Sequence, residues 1–204
     1  MIMKNSDGTD VKNINAGAYA YDNGSTDEQI ARACKHGDLQ AFELLVQRYQ
    51  KQVLHLCYRI VNDVHAAEDL AQECFLKLYL NIEHYRGDAA FKTWFYSITI
   101  NVCRTYLKKR FVIDRLRGAG LYPRNGDDKI EDKPGHDEHD ILLKLQLEAA
   151  IARLPVKQRE AFVLKHVEGM KISEIAVIQQ TAEGTVKAHL FRAVKALQKY
   201  VGNE

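Results

Sequence analysis

No stretch of this 204-residue chain approaches the ~20 consecutive apolar residues that a helix needs to cross a bilayer, and its N-terminus lacks a basic region followed by an apolar run. Membrane insertion is therefore not expected, and the cytoplasm is the expected compartment. Cysteine is sparse. Cys34, Cys57, Cys74 and Cys103 are widely separated, form no C-x-x-C pair and fall inside apolar helical patterns, which marks them as reduced core thiols. Neither H-E-x-x-H nor a glycine-rich phosphate loop is present. The neighbours His136, Asp137, Glu138, His139 and Asp140 lie in an extended acidic segment and do not converge on one ion. No metal, cofactor, small-molecule substrate or catalytic activity is expected. A large net charge is missing as well: 29 Lys and Arg against 27 Asp and Glu leave +2. A nucleic-acid partner must then be argued from where the charges sit.

Alternation of the β type is also absent. What the chain has instead is helical periodicity, with 46% hydrophobic residues to fill its cores. Residues 1–24 are rich in Asn, Gly and Asp without lasting periodicity and read as a tail. Ser25 or Thr26 then offers an N-cap, with Glu28 or Gln29 in the first turn. Apolar positions recur at helical spacing through the next thirty-odd residues, broken at His36-Gly37-Asp38 into a short helix and a longer one. Asp63 can cap a third, HAAEDLAQECFLKLYLNI, with a core stripe of Ala67, Leu70, Ala71, Cys74 and Leu78. After the loop EHYRGDA comes a fourth, FKTWFYSITINVCRTYLKKR, with Phe91, Trp94, Phe95, Ile98 and Val102 inward.

From Phe111 to Asp140 the periodicity fades, and Gly118, Gly120, Pro123, Gly126, Pro134 and Gly135 punctuate the chain. This segment opens basic, with Arg115 and Arg117, and ends acidic, with Asp127, Asp128, Glu131, Asp132, Asp137, Glu138 and Asp140. It reads as a linker. Helical pattern resumes at ILLKLQLEAAIARL. Pro155 sits at a first helical position, opening VKQREAFVLKHVEG, which Gly169 ends. The fold expected is all-α: two helical domains, an N-terminal bundle and a C-terminal helix-turn-helix, joined by a flexible linker. The expected boundaries are 1–24 for the tail, 25–112, 113–139 for the linker, and 140–204.

EIAVIQQTAEGTVKAHLFRAVKAL has the pattern of a helix-turn-helix, with Ile172, Ile175, Ala176 and Ile178 inward on the first helix and Val186, Leu190, Ala193 and Leu197 on the second. The other face of the second helix carries Lys187, Arg192, Lys195 and Lys199 around the small Ala188, a surface that suits phosphates. Periodicity alone leaves a solvated basic face and a DNA-binding face equally open.

The wording of this stretch, preceded by LPVKQREAFVLKHVEGM, resembles the promoter-reading C-terminal domain of bacterial sigma factors, in particular the extracytoplasmic-function (ECF) group of the sigma-70 family. The segments AFELLVQRYQKQVLHLCYRIVNDVHAAEDLAQECFLKLYLNI and FKTWFYSITINVCRTYLKKR are similar to the family's domain that binds the polymerase clamp and opens the −10 element. Both sets stand in the family's order over residues 25–201. This chain departs from the family pattern at Gln179-Gln180, usually Leu-Gly; at Ala182, usually a Ser cap, so that Thr181 is expected to cap instead; and at Thr99 and Thr105, usually Ala and Asp.

The resemblance implies three surfaces. On the third helix, Asp69, Gln72, Glu73 and Leu76 would dock on the β′ clamp of core RNA polymerase, the acids pairing with arginines. On the loop and fourth helix, Tyr85, Arg86, Lys92, Trp94, Ser97, Asn101, Arg104 and Lys108 would bind the melted −10 strand, with Tyr85 as a stacking surface beside His84 and Asp88. In the C-terminal domain, Arg159, Thr185, Lys187, Ala188, Arg192 and Lys195 would bind the −35 duplex. The β flap of the polymerase and an anti-sigma factor are implied as further partners. The acidic linker is either an RNA mimic or a spacer. A different class remains open, a duplex-binding helix-turn-helix regulator whose N-terminal bundle senses a ligand or dimerises. It leaves the acidic stripe of the third helix and the aromatic-basic fourth helix unexplained.

Overall fold

The computed structural model describes residues 25–118 and 146–201. The N-terminal tail, the acidic linker from residue 119 and the His136–Asp140 cluster lie outside them. Every regular element among the described residues is helical. Helix α1 is Asp27–Lys35, α2 Leu39–Val61, α3 Val64–Asn81 and α4 Phe91–Gly118, with a single 3₁₀ turn at Ile82–His84. Residues 146–152 form α5, followed by α6 (Val156–His166), α7 (Ile172–Gln179) and α8 (Glu183–Val201).

The starts of the first three helices are written locally. Thr26 forms a capping box, its hydroxyl accepting from Gln29 N while Gln29 Oε1 accepts from Thr26 N at 2.9 Å. Asp38 accepts from Gln40 N and Ala41 N at the start of α2, directly after Gly37 at φ +83°. Asp63 accepts from Ala66 N at the start of α3.

Elsewhere the details shift. Pro155 is the N-cap residue of α6, not its first helical residue. That helix ends at His166, and Gly169, at φ +69°, lies in the turn beyond it. Thr181 stands too early to cap α8: the helix begins at Glu183, Thr185 N and Val186 N bond to Ala182 O, and Thr181 N bonds back to Ala176 O. Helix α4 continues through Gly118, past the boundary expected at residue 112.

Gln180 closes α7 in the left-handed region at φ 53°, ψ 52°. A side chain there costs ~1–2 kcal/mol relative to glycine, offset by the ~0.5–1 kcal/mol of extra chain entropy that glycine loses on folding. Gln180→Gly is expected to raise the thermal unfolding midpoint by about 1–4 °C. A calorimetric scan with no rise would show that the exposed Gln180 side chain contributes something its backbone strain conceals.

The N-terminal core is built by Leu45, Val53, Leu56 and Ile60 of α2, Ala67, Leu70, Cys74 and Leu78 of α3, and Phe91, Phe95, Ile100 and Cys103 of α4, all buried. Tyr49 meets Phe91 and Phe95 edge to face at 5.5 and 5.6 Å, and Phe75 abuts Phe95 at 5.4 Å. All four cysteines are buried and free. Burial, joined by the nearby Asp38 carboxylate, pushes the Cys34 thiol up to about 12, so the thiolate that would react is scarcely formed. In the C-terminal domain, Ile175 and Ile178 of α7, Val186, Ala193 and Leu197 of α8, and Val163 and Leu164 of α6 make a second core. The two bodies touch: α4 packs on α7, and α2 on α6.

Candidate nucleic-acid interface

The helical period of α3 decides which side chains are presented. With Ala67, Leu70, Ala71, Cys74 and Leu78 buried, Asp69, Gln72, Glu73 and Leu76 emerge together on the solvent side, as their spacing predicts. Glu73 pairs with Lys77 one turn on at 3.0 Å, an exposed contact worth ~0.3–0.5 kcal/mol that a partner can displace. The stripe does not end at Leu76. Leu80, Tyr79 and Leu39 are more than half exposed at its C-terminal end, where Phe42 meets the Tyr79 ring at 5.3 Å. Leu76 and Leu80 are four residues apart, the signal that would have extended the stripe by one turn.

Beside α3, the line Ser97, Asn101, Arg104 and Lys108 follows one side of α4. Ser97 Oγ donates to Thr93 O, and Asn101 Oδ1 accepts from Arg104 at 3.3 Å. A recess lies between the end of α3 and α4, lined by Lys77, Asn81, His84, Trp94, Ile98 and Asn101 among others, with a volume of about 290 Å³. It has an apolar floor of Trp94 and Ile98 and a rim of amide, imidazole and ammonium groups. Those are the parts that stack a base and bond to its edge. His84 was singled out from sequence as a loop residue beside Tyr85; Lys77 and Asn81 were not, because they belong to α3 rather than to the α4 line.

Tyr85 is placed differently from the sequence expectation. Its ring is 4% exposed, packed against Trp94 at 5.2 Å and Phe91 at 5.6 Å, while its hydroxyl donates to Ala89 O. It supports the Trp94 wall of the recess and offers no free face of its own. Lys35 donates to the Tyr85 carbonyl at 2.8 Å and secures the loop to α1. Arg86 stands exposed at the loop.

On α8, Thr185, Lys187, Arg192 and Lys195 are exposed and Ala188 is half-buried, so the basic face lies free along the helix. None of these basic side chains joins an ion pair among the described residues. Arg159 is held elsewhere. It is 9% exposed, and its guanidinium donates to Ile60 O at 2.6 Å, to Leu154 O and to Ala152 O. Burial lowers its pKa, yet arginine keeps its proton, so three carbonyl dipoles carry the charge. In this arrangement Arg159 bonds α6 to α2 through the Ile60 carbonyl.

Two residues of the α4 face are also engaged across the domain contact. Arg104 makes a bidentate pair with Glu160, Nε to Oε1 at 2.7 Å and Nη2 to Oε2 at 2.6 Å. Lys92 donates to Glu168 O at 3.3 Å, with its ammonium 3.6 Å from the Glu168 carboxylate. The buried Tyr96 hydroxyl donates to that carboxylate at 2.6 Å, and burial followed by this bond raises the phenol's pKa.

The sigma-70 region 2 family matches residues 45–111, and the sigma-70 region 4 family matches residues 144–197. RNA polymerase sigma-H factor of Pseudomonas aeruginosa is 36% identical over 187 residues, a span covering 85% of this chain and 92% of the relative. The ECF sigma-E factor of Haemophilus influenzae is 33% identical, over 86% of this chain and 95% of its own, and the ECF factor SigW of Bacillus subtilis is 32% identical, over 81% and 91%. This chain belongs to the extracytoplasmic-function group of sigma factors. Among solved structures, CnrH in complex with the cytosolic domain of CnrY matches with a TM-score of 0.64 at 19% identity, covering 88% of this chain and 99% of that one. The sigma factor RpoE of Bartonella quintana, solved with the anti-sigma factor NepR, matches with a TM-score of 0.60 at 21% identity, covering 80% and 98%. These two share the all-helical fold.

As a sigma factor, the protein binds core RNA polymerase and promoter DNA and directs promoter-specific initiation of transcription; it is not an enzyme. No helix among the described residues is long and apolar enough to cross a membrane. Among those residues no group of three or more His, Cys, Asp and Glu is placed to hold a metal ion.

Proposed function

We propose that this sigma factor divides its work among three surfaces. The exposed stripe Asp69, Gln72, Glu73 and Leu76 docks on the β′ clamp, its acids pairing with cationic side chains while Leu76 and Leu80 supply apolar area. The recess behind Trp94 and the line Ser97, Asn101, Arg104 and Lys108, with Arg86 and Lys92, receive the unpaired −10 strand, Trp94 providing the ring on which a base stacks. Thr185, Lys187, Ala188, Arg192 and Lys195 enter the −35 duplex, with Arg159 joining them only if its carbonyl partners release it. The observation that carries this reading is the joint presentation, on one chain, of an acidic-apolar stripe on α3 and a basic face on α8.

The same reading places the protein in the cytoplasm, gives it the β flap as a second polymerase contact and an anti-sigma factor as its regulator, and makes 1–24 a tail and 113–139 a connector. It is tested by run-off transcription with core polymerase on a fragmented genomic library. Discrete transcripts that depend on the added protein are expected, together with co-purification of the chain with core. A duplex-binding regulator would give neither, and that outcome would overturn the reading.

A further inference from the structure

Glu160 is fully buried, and its carboxylate is shared by three partners. Arg104 holds it from α4 by two short bonds, Lys157 stands 3.8 Å away, and Gln179 Nε2 donates to its Oε2 at 3.1 Å. Gln179 is 4% exposed and also donates to Lys157 O at 2.9 Å. With both of its amide protons used, its Oε1 is left to accept, and His189 Nδ1 lies 3.2 Å from it, which fits the imidazole tautomer protonated at Nδ1. One hydrogen-bonded chain thus runs from the −10 face of α4 to the recognition helix α8: Arg104, Glu160, Gln179, His189.

A second carboxylate acts in parallel. Glu168, just beyond α6, takes Tyr96 and Lys92, about three turns before Arg104 on α4. The cations that the proposed reading assigns to DNA phosphates are here met by carboxylates of the C-terminal domain, and Glu160 bonds Arg104 in the bidentate geometry that a phosphate also uses. The α3 stripe and the basic residues of α8 stay exposed in the same arrangement.

We propose that Glu160 and Glu168 are an intramolecular stand-in for the −10 strand, and that Gln179 positions Glu160 for that role, so that the free chain is closed and must release Arg104 and Lys92 before it can hold melted DNA. A leucine at position 179 has no N–H for Glu160, so Gln179 holds this acid more firmly than an apolar residue allows. Because the α3 stripe remains free, docking on polymerase precedes opening. Only the competition with DNA rests on the proposed role of Arg104; the closure itself does not.

The test uses the full chain with spin labels on Gln47→Cys and Gln198→Cys, two exposed positions on α2 and α8, the four native thiols being buried. Electron–electron double resonance is expected to give one narrow distance for the parent, and a longer, broad distribution for Glu160→Gln and for Gln179→Leu. Circular dichroism checks that both variants keep the parent's helical content. In the second arm, the affinity for a fluorescein-labelled single-stranded oligonucleotide of mixed sequence is measured without polymerase. It is expected to rise about tenfold in both variants, the gain that follows when release raises the binding-competent fraction by the same factor, and Arg104→Gln added to either variant should cancel the gain. Unchanged distances in both variants would overturn the latch and leave the sigma reading intact. Opened distances without any gain in binding would refute the competition and remove Arg104 from the −10 surface.

Discussion

Asp69→Lys combined with Glu73→Lys is expected to lower affinity for core RNA polymerase on the order of 10³-fold, while the thermal unfolding midpoint stays within a few degrees of the parent. Hydrogen bonds to charged groups contribute ~1.5–3 kcal/mol each, so losing two of them weakens binding by 3–6 kcal/mol before any repulsion is added. Stability is spared because both side chains project away from the α3 core. The only described ion pair lost is Glu73 with Lys77, exposed on both sides. Biolayer interferometry with core enzyme measures the first quantity and calorimetry the second. Unaltered affinity would move the docking surface elsewhere, with the apolar Leu39, Tyr79 and Leu80 the next place to look.

Replacing Lys187, Arg192 and Lys195 together with alanine is expected to weaken binding of holoenzyme to a duplex −35 element by on the order of 10²–10³-fold at ~0.1 M salt, and to reduce the slope of log affinity against log salt by about 2.7. Each phosphate contact releases close to one counterion, so the slope counts contacts independently of sequence. All three residues are exposed on α8, and the Val186, Ala193 and Leu197 stripe that seats the helix is untouched. Titrating labelled duplex at several salt concentrations measures both numbers. An unchanged slope would mean that the basic face is merely solvated.

What could be read from sequence follows from how local each determinant is. Thr26 and Asp63 were legible as caps because the donors they satisfy lie within three residues. The inward stripe of α3 was legible because one face of that helix is buried by one neighbour layer, which a period of 3.6 describes. Helix α4 is covered on a further flank by the C-terminal domain, so Tyr96 is as buried as Phe95 although a single-stripe reading leaves it outside. Tyr85 was misjudged for a related reason: a tyrosine in a polar loop carries no local sign of which way its ring turns, and here two aromatic rings, Phe91 and Trp94, and the Ala89 carbonyl take it inward.

Gln179 shows the limit most clearly. Sequence marked it as a departure, but its partners, Glu160 and His189, lie 19 and 10 residues away, and Glu160's own partner Arg104 lies 56 residues away. Nothing in a helical period predicts a buried carboxylate shared across two domains. Thr99 is a smaller case: fully buried, it satisfies its hydroxyl by donating to Phe95 O at 3.1 Å, a solution open to any threonine inside a helix.

Opening about a dozen base pairs costs on the order of 15 kcal/mol at ~1.4 kcal/mol per stacked step. A base captured against Trp94 returns only ~1–3 kcal/mol. If the recess of about 290 Å³ takes one base, as proposed, the isolated chain is expected not to separate strands, the polymerase supplying the rest. Permanganate reactivity of thymines across a promoter recovered from the library transcription tests this directly. Reactive thymines near −10 are predicted only when core polymerase and this protein are present together; reactivity with the chain alone, or none with both, would contradict the account.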